Sequence, residues 1–403
     1  MRFPDMVVYA INALRKRSIR SWLTVIGIVI GITSIVILVG LVQGLKDTVS
    51  DQLQSFGSDT IVVIPTNVEQ SGASAASSWL PSSGKLYLKD YERLKRIGDI
   101  EDITPVINGR TYVKYKDKEI TVSVVGIQPD VYKETVGTLE IESGRFLVSQ
   151  DRQSVVAGYD LATDSFDDPI QLSSNIDIMD KKYTVAGILK KTGNSFSNLD
   201  SSLLISFDEA QEMFKDVLSE NEISAIRMTV KDGVNPKEVA DEVNYLMLAA
   251  HRVTEDKKDF SIVTADFINQ QVETVTSLLT LFLGAIGAIA LLVGGIGIAN
   301  TMFMSVTERK GEIGILKSIG ATEKEILYLF LVESSMIGVA GGFFGLLLAY
   351  LLSGLIEFAA GISVSISLFV IFGAIIFSAT VGILSGVFPA REAAKLDPIA
   401  ALR

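Results

Sequence analysis

The chain has 403 residues, 48% of them apolar, a net charge of −11 and no cysteine. Disulfides, thiol catalysis and cysteine-ligated zinc or iron–sulfur sites are therefore excluded, and a single histidine, His251, removes most histidine-based metal and acid–base constellations. The apolar residues collect in four long uncharged runs, each sufficient for a bilayer core of roughly 30 Å. The expected fold class is a membrane protein with four transmembrane α-helices and a large α/β extracytoplasmic domain.

Residues 1–20 come first. Phe3, Met6, Val7, Ala10, Ile11 and Leu14 recur at helical spacing ahead of Arg15, Lys16, Arg17 and Arg20, which predicts an amphipathic helix on the cytoplasmic membrane surface. The first span covers 21–45. Its apolar stretch is too long for a cleaved signal peptide, so it reads as a retained anchor. Gln43–Phe56 is expected to continue this helix outward as a stalk.

Residues 46–273 form the outer domain. Thr60–Ile64 reads as a strand, Gln70–Gly84 as a Ser/Ala/Gly-rich mobile loop and Leu88–Ile97 as a helix. Strands follow at Thr111–Tyr115, Ile120–Val125, Val155–Ala157, Ile176–Ile178 and Tyr183–Leu189. Ser206 with Glu209 predicts a capped helix to Leu218, Ala225–Val230 is a strand, and Asn235-Pro236 opens a helix to about Ala250. Ser261–Val263 is the last strand, and Thr264 starts a second stalk. This order predicts two subdomains, a discontinuous α/β part with a β-rich insert at about 145–203. His251 is expected at the surface.

The second span, 274–307, belongs to a 34-residue uncharged run. The third is 326–356, an outer loop covers 357–366, the fourth span is 367–390, and 391–403 is a tail. Small residues four apart (Gly27 and Gly31, Gly284 and Ala288, Gly338 and Gly342, Gly341 and Gly345, Gly382 and Gly386) predict close helix packing within a subunit or across a dimer. Glu333 is the ionisable residue nearest a span interior, with an interfacial or packing role preferred over an ion relay.

Lys and Arg cluster before the first span, between the second and third, and after the fourth, whereas 357–366 has none. These flanks are expected in the cytoplasm, with both termini. Segment Lys46–Glu273 carries 24 Lys and Arg against 38 Asp and Glu, a net of −14, and the remainder is +3. The acidity belongs to the outer domain and argues against nucleic acid as a partner.

The loop 308–325 carries the most information. Glu312–Ile319 reads as a short helix, Gly320 suits the left-handed position that ends one, and Thr322 with Glu325 forms a capping box for the next. Apolar Ile313, Leu316 and Ile319 beside basic Arg309, Lys310 and Lys317 predict either membrane-surface docking or, the better fit to the two sharp turns, a docking element for a cytosolic protein.

The runs ERKGEIGILKSIGATEKEI (308–326), PAREAAKLDPIAALR (389–403) and ALRKRSIRSWLTVIGIVIGI (13–32) together resemble the MacB/FtsX class of ABC transporter permeases. The resemblance implies a homodimeric or pseudodimeric permease that works by mechanotransmission, coupling a cytosolic ABC ATPase dimer to its outer domain. It implies that Glu308, Arg309, Lys310, Glu312, Ile313, Leu316, Lys317, Gly320 and Ala321 form the ATPase-coupling interface. It also implies export or release of a compound, peptide or lipid-linked substrate, with membrane lipid and an extracytoplasmic adaptor or delivery protein as further partners. The alternative is an FtsX-like regulator of an outer hydrolase or envelope signal. No GxxxxGK[ST], HExxH or GxSxG occurs, so no catalytic, cofactor or metal residues are expected and ATP is expected on the partner.

Overall fold

The computed structural model describes residues 19–66, 84–137, 139–193, 198–360 and 363–398. The amphipathic segment expected at 1–20 and the loop expected at Gln70–Gly84 fall almost wholly outside them. Two units divide the chain, Val49–Val272 and the residues on either side of it.

Within Val49–Val272 a ten-stranded mixed sheet runs β12-β1-β11-β3-β4-β9-β6-β8-β5, with β7 pairing to β3 and β8. β1 is Thr60–Ile64, β3 Ile100–Tyr115, β4 Lys118–Ile127, β5 Ile141–Gly144, β6 Ser154–Ala157, β7 Asn175–Ile178, β8 Lys181–Leu189, β9 Ser202–Ser206, β11 Ala225–Val230 and β12 Ser261–Thr264. β2 (Leu86–Tyr87) and β10 (Glu222–Ile223) form a separate pair. The long β3–β4 hairpin is the axis. Its β3 end pairs with β11, and β4 takes β9 in parallel with Val125 opposite Leu204. The β-rich middle thus joins the rest through one continuous ladder.

Alternation along the strands sends apolar side chains to both faces. A large cluster containing Ile61, Ile107, Val124, Ile205, Ile226 and Met228 includes buried residues of the helices Leu88–Leu94, Phe207–Met213 and Pro236–His251. A second cluster contains Val125, Val156, Leu189 and Leu204, with Tyr132 and Val136 of the helix Pro129–Val136. A third joins Val49, Leu53 and Phe56 to Val263 and Ile268, the positions where the chain enters and leaves this unit.

Two expectations are corrected here. His251 is buried: its Nδ1 lies 2.9 Å from Asp259 Oδ1 and its Nε2 3.6 Å from the fully buried Asp90. Asp90 raises the imidazole pKa above its ordinary value against the lowering effect of burial, and Asp259 adds to the rise. The sequence around it hid this, because the two aspartates come from other segments. The helix after Ser206 ends at Met213, and Ser206 makes no side-chain cap. Glu209 instead accepts a hydrogen bond from the Tyr183 hydroxyl at 2.9 Å.

The remaining unit is helical. α1 (Ile19–Phe56, its last turns in the α/β unit), α7 (Ala265–Glu308), α9 (Glu323–Ala360) and α10 (Leu368–Lys395) are long and apolar enough to cross a membrane. In the same numbering α2–α6 are Leu88–Leu94, Pro129–Val136, Tyr159–Asp164, Phe207–Met213 and Pro236–His251. α7 has 44 residues, about 66 Å at 1.5 Å per residue, well beyond a hydrocarbon core.

Gly27 and Gly31 lie against Gly294 and Ala290 of α7, and Gly341 and Gly345 against Ile28 and Ile32 of α1. α9 and α10 make the tightest approach: a side chain on Gly338 would strike the Ser378 carbonyl, one on Gly382 the Ser334 carbonyl, and ones on Gly342 and Gly386 the Ser378 and Ser334 hydroxyls. Gly284 meets open space and Ala288 is exposed; Gly287 makes the contact there, against Ile35. Gly40 and Gly44, a pair sequence reading missed, make room for Val364 and Ser363, and Ser365 donates to the Gly40 carbonyl at 3.0 Å.

Candidate functional site: the loop between α7 and α9

Where α7 ends, Arg309 leaves helical geometry and the short helix α8, Lys310–Ser318, begins. Glu312 lies in its first turn and Lys317 in its last, each favourable to the helix dipole. The end of α8 is a Schellman motif. The Ala321 amide donates to the Leu316 carbonyl at 3.0 Å, the Gly320 amide to Lys317 at 3.1 Å, and Gly320 has φ +100°. Two residues on, Thr322 and Glu325 cap α9 reciprocally. The Thr322 amide donates to the Glu325 carboxylate at 2.9 Å and the Glu325 amide to Thr322 Oγ1 at 3.3 Å.

Both ends of α8 are tied down. Arg309 donates through Nε to Glu312 at 2.9 Å and through Nη1 to Glu333 of α9 at 3.2 Å, with its guanidinium 5.7 Å from the centre of the Phe330 ring. Glu333 is 1% exposed, so this half-buried cation and a buried carboxylate satisfy one another. Lys317 Nζ donates to the Leu396 carbonyl at the end of α10, 2.7 Å away. Between these ties Ile313, 2% exposed, enters the apolar core with Met302, Val306, Ile326 and Phe330, and Leu316 and Ala321 pack against it.

The opposite side of α8 is open. Glu308, Lys310, Gly311, Glu312, Ser318 and Gly320 are exposed, as are Ile315 at 55% and Ile319 at 76%. Beside it Leu316, Ile319, Gly320, Ala321, Glu325, Ile326 and Leu329 line an open groove of about 320 Å³. The nine residues singled out from sequence therefore divide. Glu308, Lys310, Glu312 and Gly320 face outward, Ile313 is spent on the internal core, and Arg309, Lys317, Leu316 and Ala321 hold the helix. Ile315 was missed, although its i, i+4 spacing with Ile319 puts both on the stripe opposite Ile313. The arrangement holds a small amphipathic helix in fixed orientation with two isoleucines and mixed charges presented for contact. It has the chemistry of a docking element.

Comparison with known proteins identifies the family. Residues 21–246 match the MacB-like periplasmic core domain, and residues 284–398 match the FtsX-like permease C-terminal domain. The chain is 34% identical to an uncharacterized ABC transporter permease of Methanocaldococcus jannaschii, over 100% of its own length and 98% of the relative's. It is 31% identical to an uncharacterized ABC transporter permease, YknZ, of Bacillus subtilis, over the whole of both chains. It is 32% identical to the macrolide export ATP-binding/permease protein MacB of Bdellovibrio bacteriovorus, over 97% of itself but only 60% of that protein. A signature in each unit and similarity along the full chain place this protein in the family of MacB/FtsX-type ABC transporter permeases.

Proposed function

We propose that this permease couples ATP hydrolysis by a cytosolic ABC ATPase to movement of its α/β domain, and that α8 is the seat of that ATPase. One observation carries the reading: α8 is clamped at both ends and buried along one side, while Ile315, Ile319, Lys310 and Glu312 are exposed on the other. A helix held this way passes on a push instead of absorbing it. In this reading nucleotide is bound by that ATPase; these 403 residues contain no phosphate-cradling GxxxxGK[ST] loop. The basic flanks orient α8 and both termini to the cytoplasm.

α1 and α7 outrun a bilayer core and enter and leave the α/β domain at adjacent strands, β1 and β12. Helices of this kind suit the delivery of motion from one side of the membrane to the other. We assign the exported or released cargo to the class of compounds, peptides or lipid-linked molecules handled outside the inner leaflet, met by an adaptor or delivery protein. A second copy of the chain completes the assembly, and the outward Gly284–Ala288 face of α7 is one surface open to it.

The test is purification of the tagged chain in mild detergent. A stoichiometric P-loop ATPase with ATP hydrolysis is expected, lost in Ile315→Glu/Ile319→Glu while the permease stays folded. A permease that purifies alone, or whose ATPase survives both substitutions, contradicts the assignment of α8.

A further inference from the structure

Arg227, in the middle of β11, is 8% exposed. Its neighbours Ile226 and Met228 turn to the large apolar cluster on one face of the sheet. Arg227 turns to the other face, between the cluster formed by Val49, Leu53 and Phe56 and the cluster that holds Tyr132 and Val136. A buried cation is costly unless paired. Among the described residues, however, no carboxylate lies within ion-pair distance of it. Burial lowers its pKa from the ordinary value, and Tyr132 and Asp59 oppose the shift.

Its partners are the ends of two helices. Nη2 donates to the carbonyl of Phe56, the last residue of α1, at 3.0 Å, and Nε donates to the carbonyl of Thr135, one residue from the end of α3, at 3.0 Å. Helix C-termini have carbonyls without intrahelical donors and carry the negative end of the dipole. One guanidinium therefore meets two partly negative groups at once, with its donors held in a rigid planar fork. The Phe56 ring adds a cation–π contact, its centre 5.2 Å from the guanidinium. Gly57, at φ +97°, takes the left-handed position that stops α1 with the Phe56 carbonyl free. The partners are 171 and 92 residues away in sequence.

We propose that Arg227 is the positioning residue of the joint between the first stalk and the α/β domain, fastening the end of α1 to α3 so that the two move as one body. This rests on the reading that ATP drives motion through α1. α3 immediately precedes the β-rich middle of the domain, so the joint hands stalk displacement to the part of the sheet farthest in chain order from the membrane helices. Stability alone does not require an arginine here, because an apolar side chain between two apolar clusters would avoid the desolvation.

The chain lacks cysteine, so spin labels can be placed by single introductions of cysteine on exposed positions: Asp51→Cys on α1, Lys133→Cys on α3 and Glu357→Cys at the end of α9. Distances are measured by double electron–electron resonance on the full permease with its co-purified ATPase in nanodiscs, nucleotide-free and trapped with ATP and vanadate. In the parent protein the 51–357 and 133–357 distances should shift together on trapping, with the 51–133 distribution unchanged. In Arg227→Met the 51–357 shift should persist, the 133–357 shift should fall at least twofold and the 51–133 width should at least double. Arg227→Lys, which keeps charge but not the fork, should fall between. Should Arg227→Met fail to fold, Arg227→Lys and Phe56→Leu carry the test, each expected to broaden the 51–133 distribution. An Arg227→Met protein whose 133–357 shift matches the parent overturns the joint and leaves the stalk reading intact. A parent protein in which neither distance to 357 shifts overturns the stalk reading, and the joint with it.

Discussion

Each unit of the chain buries an arginine beside the end of a long helix, and the two neutralise it by different means. At the end of α7, Arg309 is held by the carboxylate of Glu333 and braced by Glu312. At the end of α1, Arg227 is held by two backbone carbonyls and an aromatic ring. The first arrangement depends on side chains that a substitution can delete. The second depends on where two helices stop. The contact at the end of α7 is thus built from side chains that can be adjusted singly, whereas the one at the end of α1 is written into the backbone.

The contrast is broken most strongly at Glu333. Glu333→Ala removes the buried carboxylate from Arg309, leaving only the exposed Glu312 beside it, and should cost about 3 kcal/mol, read as a lowered melting temperature in detergent. The double variant Glu333→Gln/Arg309→Gln should recover at least 1 kcal/mol of that loss, because an absent pair costs less than a broken one. No such rescue exists for Arg227, whose acceptors are not side chains. Next in size is Gly382→Val, which drives a side chain into the Ser334 carbonyl and should cost about 2 kcal/mol. The equivalent change at Gly284, which faces open space, should leave the melting temperature of the isolated chain unchanged. Thr322→Ala removes the capping hydroxyl and should cost about 1 kcal/mol, with faster amide exchange confined to the first turn of α9.

The smallest effect is the pH response of the His251 contacts. The imidazole pKa is raised in the folded state, first by Asp90. Its contribution is therefore full below the unfolded value of about 6.5 and is lost as pH rises through the folded value. Asp90 is shifted the other way, its pKa lowered on balance by His251 and the Tyr87 amide although burial raises it. Its share is present above the unfolded value and lost as pH falls through the folded one. The melting temperature of the parent should decline as pH rises above about 6.5 relative to His251→Gln, and parallel profiles would remove the histidine from the account.

Legibility in sequence followed the range of the interaction. Thr60–Ile64 and Ala225–Val230 were bounded to the residue, because short runs rich in Ile, Val and Thr between turn residues carry their own signal. The turn at Gly320 and the capping box of Thr322 and Glu325 were also legible, since caps act within four residues. The helix Pro129–Val136 was missed because it is short, although Pro129 in its first turn and Gly137 at its end are local signals for one. Ile313 and Ile319 looked alike in the loop 308–325. Which of them is buried was decided by α7 and α9, from outside the segment. Arg227 offered nothing locally, its role being fixed by two carbonyls far along the chain.

The central claim, that one side of α8 is held internally and the other receives an ATPase, is tested most directly by site-specific photocrosslinking in intact membranes. A photoreactive residue at Ile319 should capture a protein of ATPase size that hydrolyses ATP, and one at Ile313 should yield only bonds within the permease. Capture of the same ATPase from both positions, or from neither, would contradict the orientation of α8 on which the account rests.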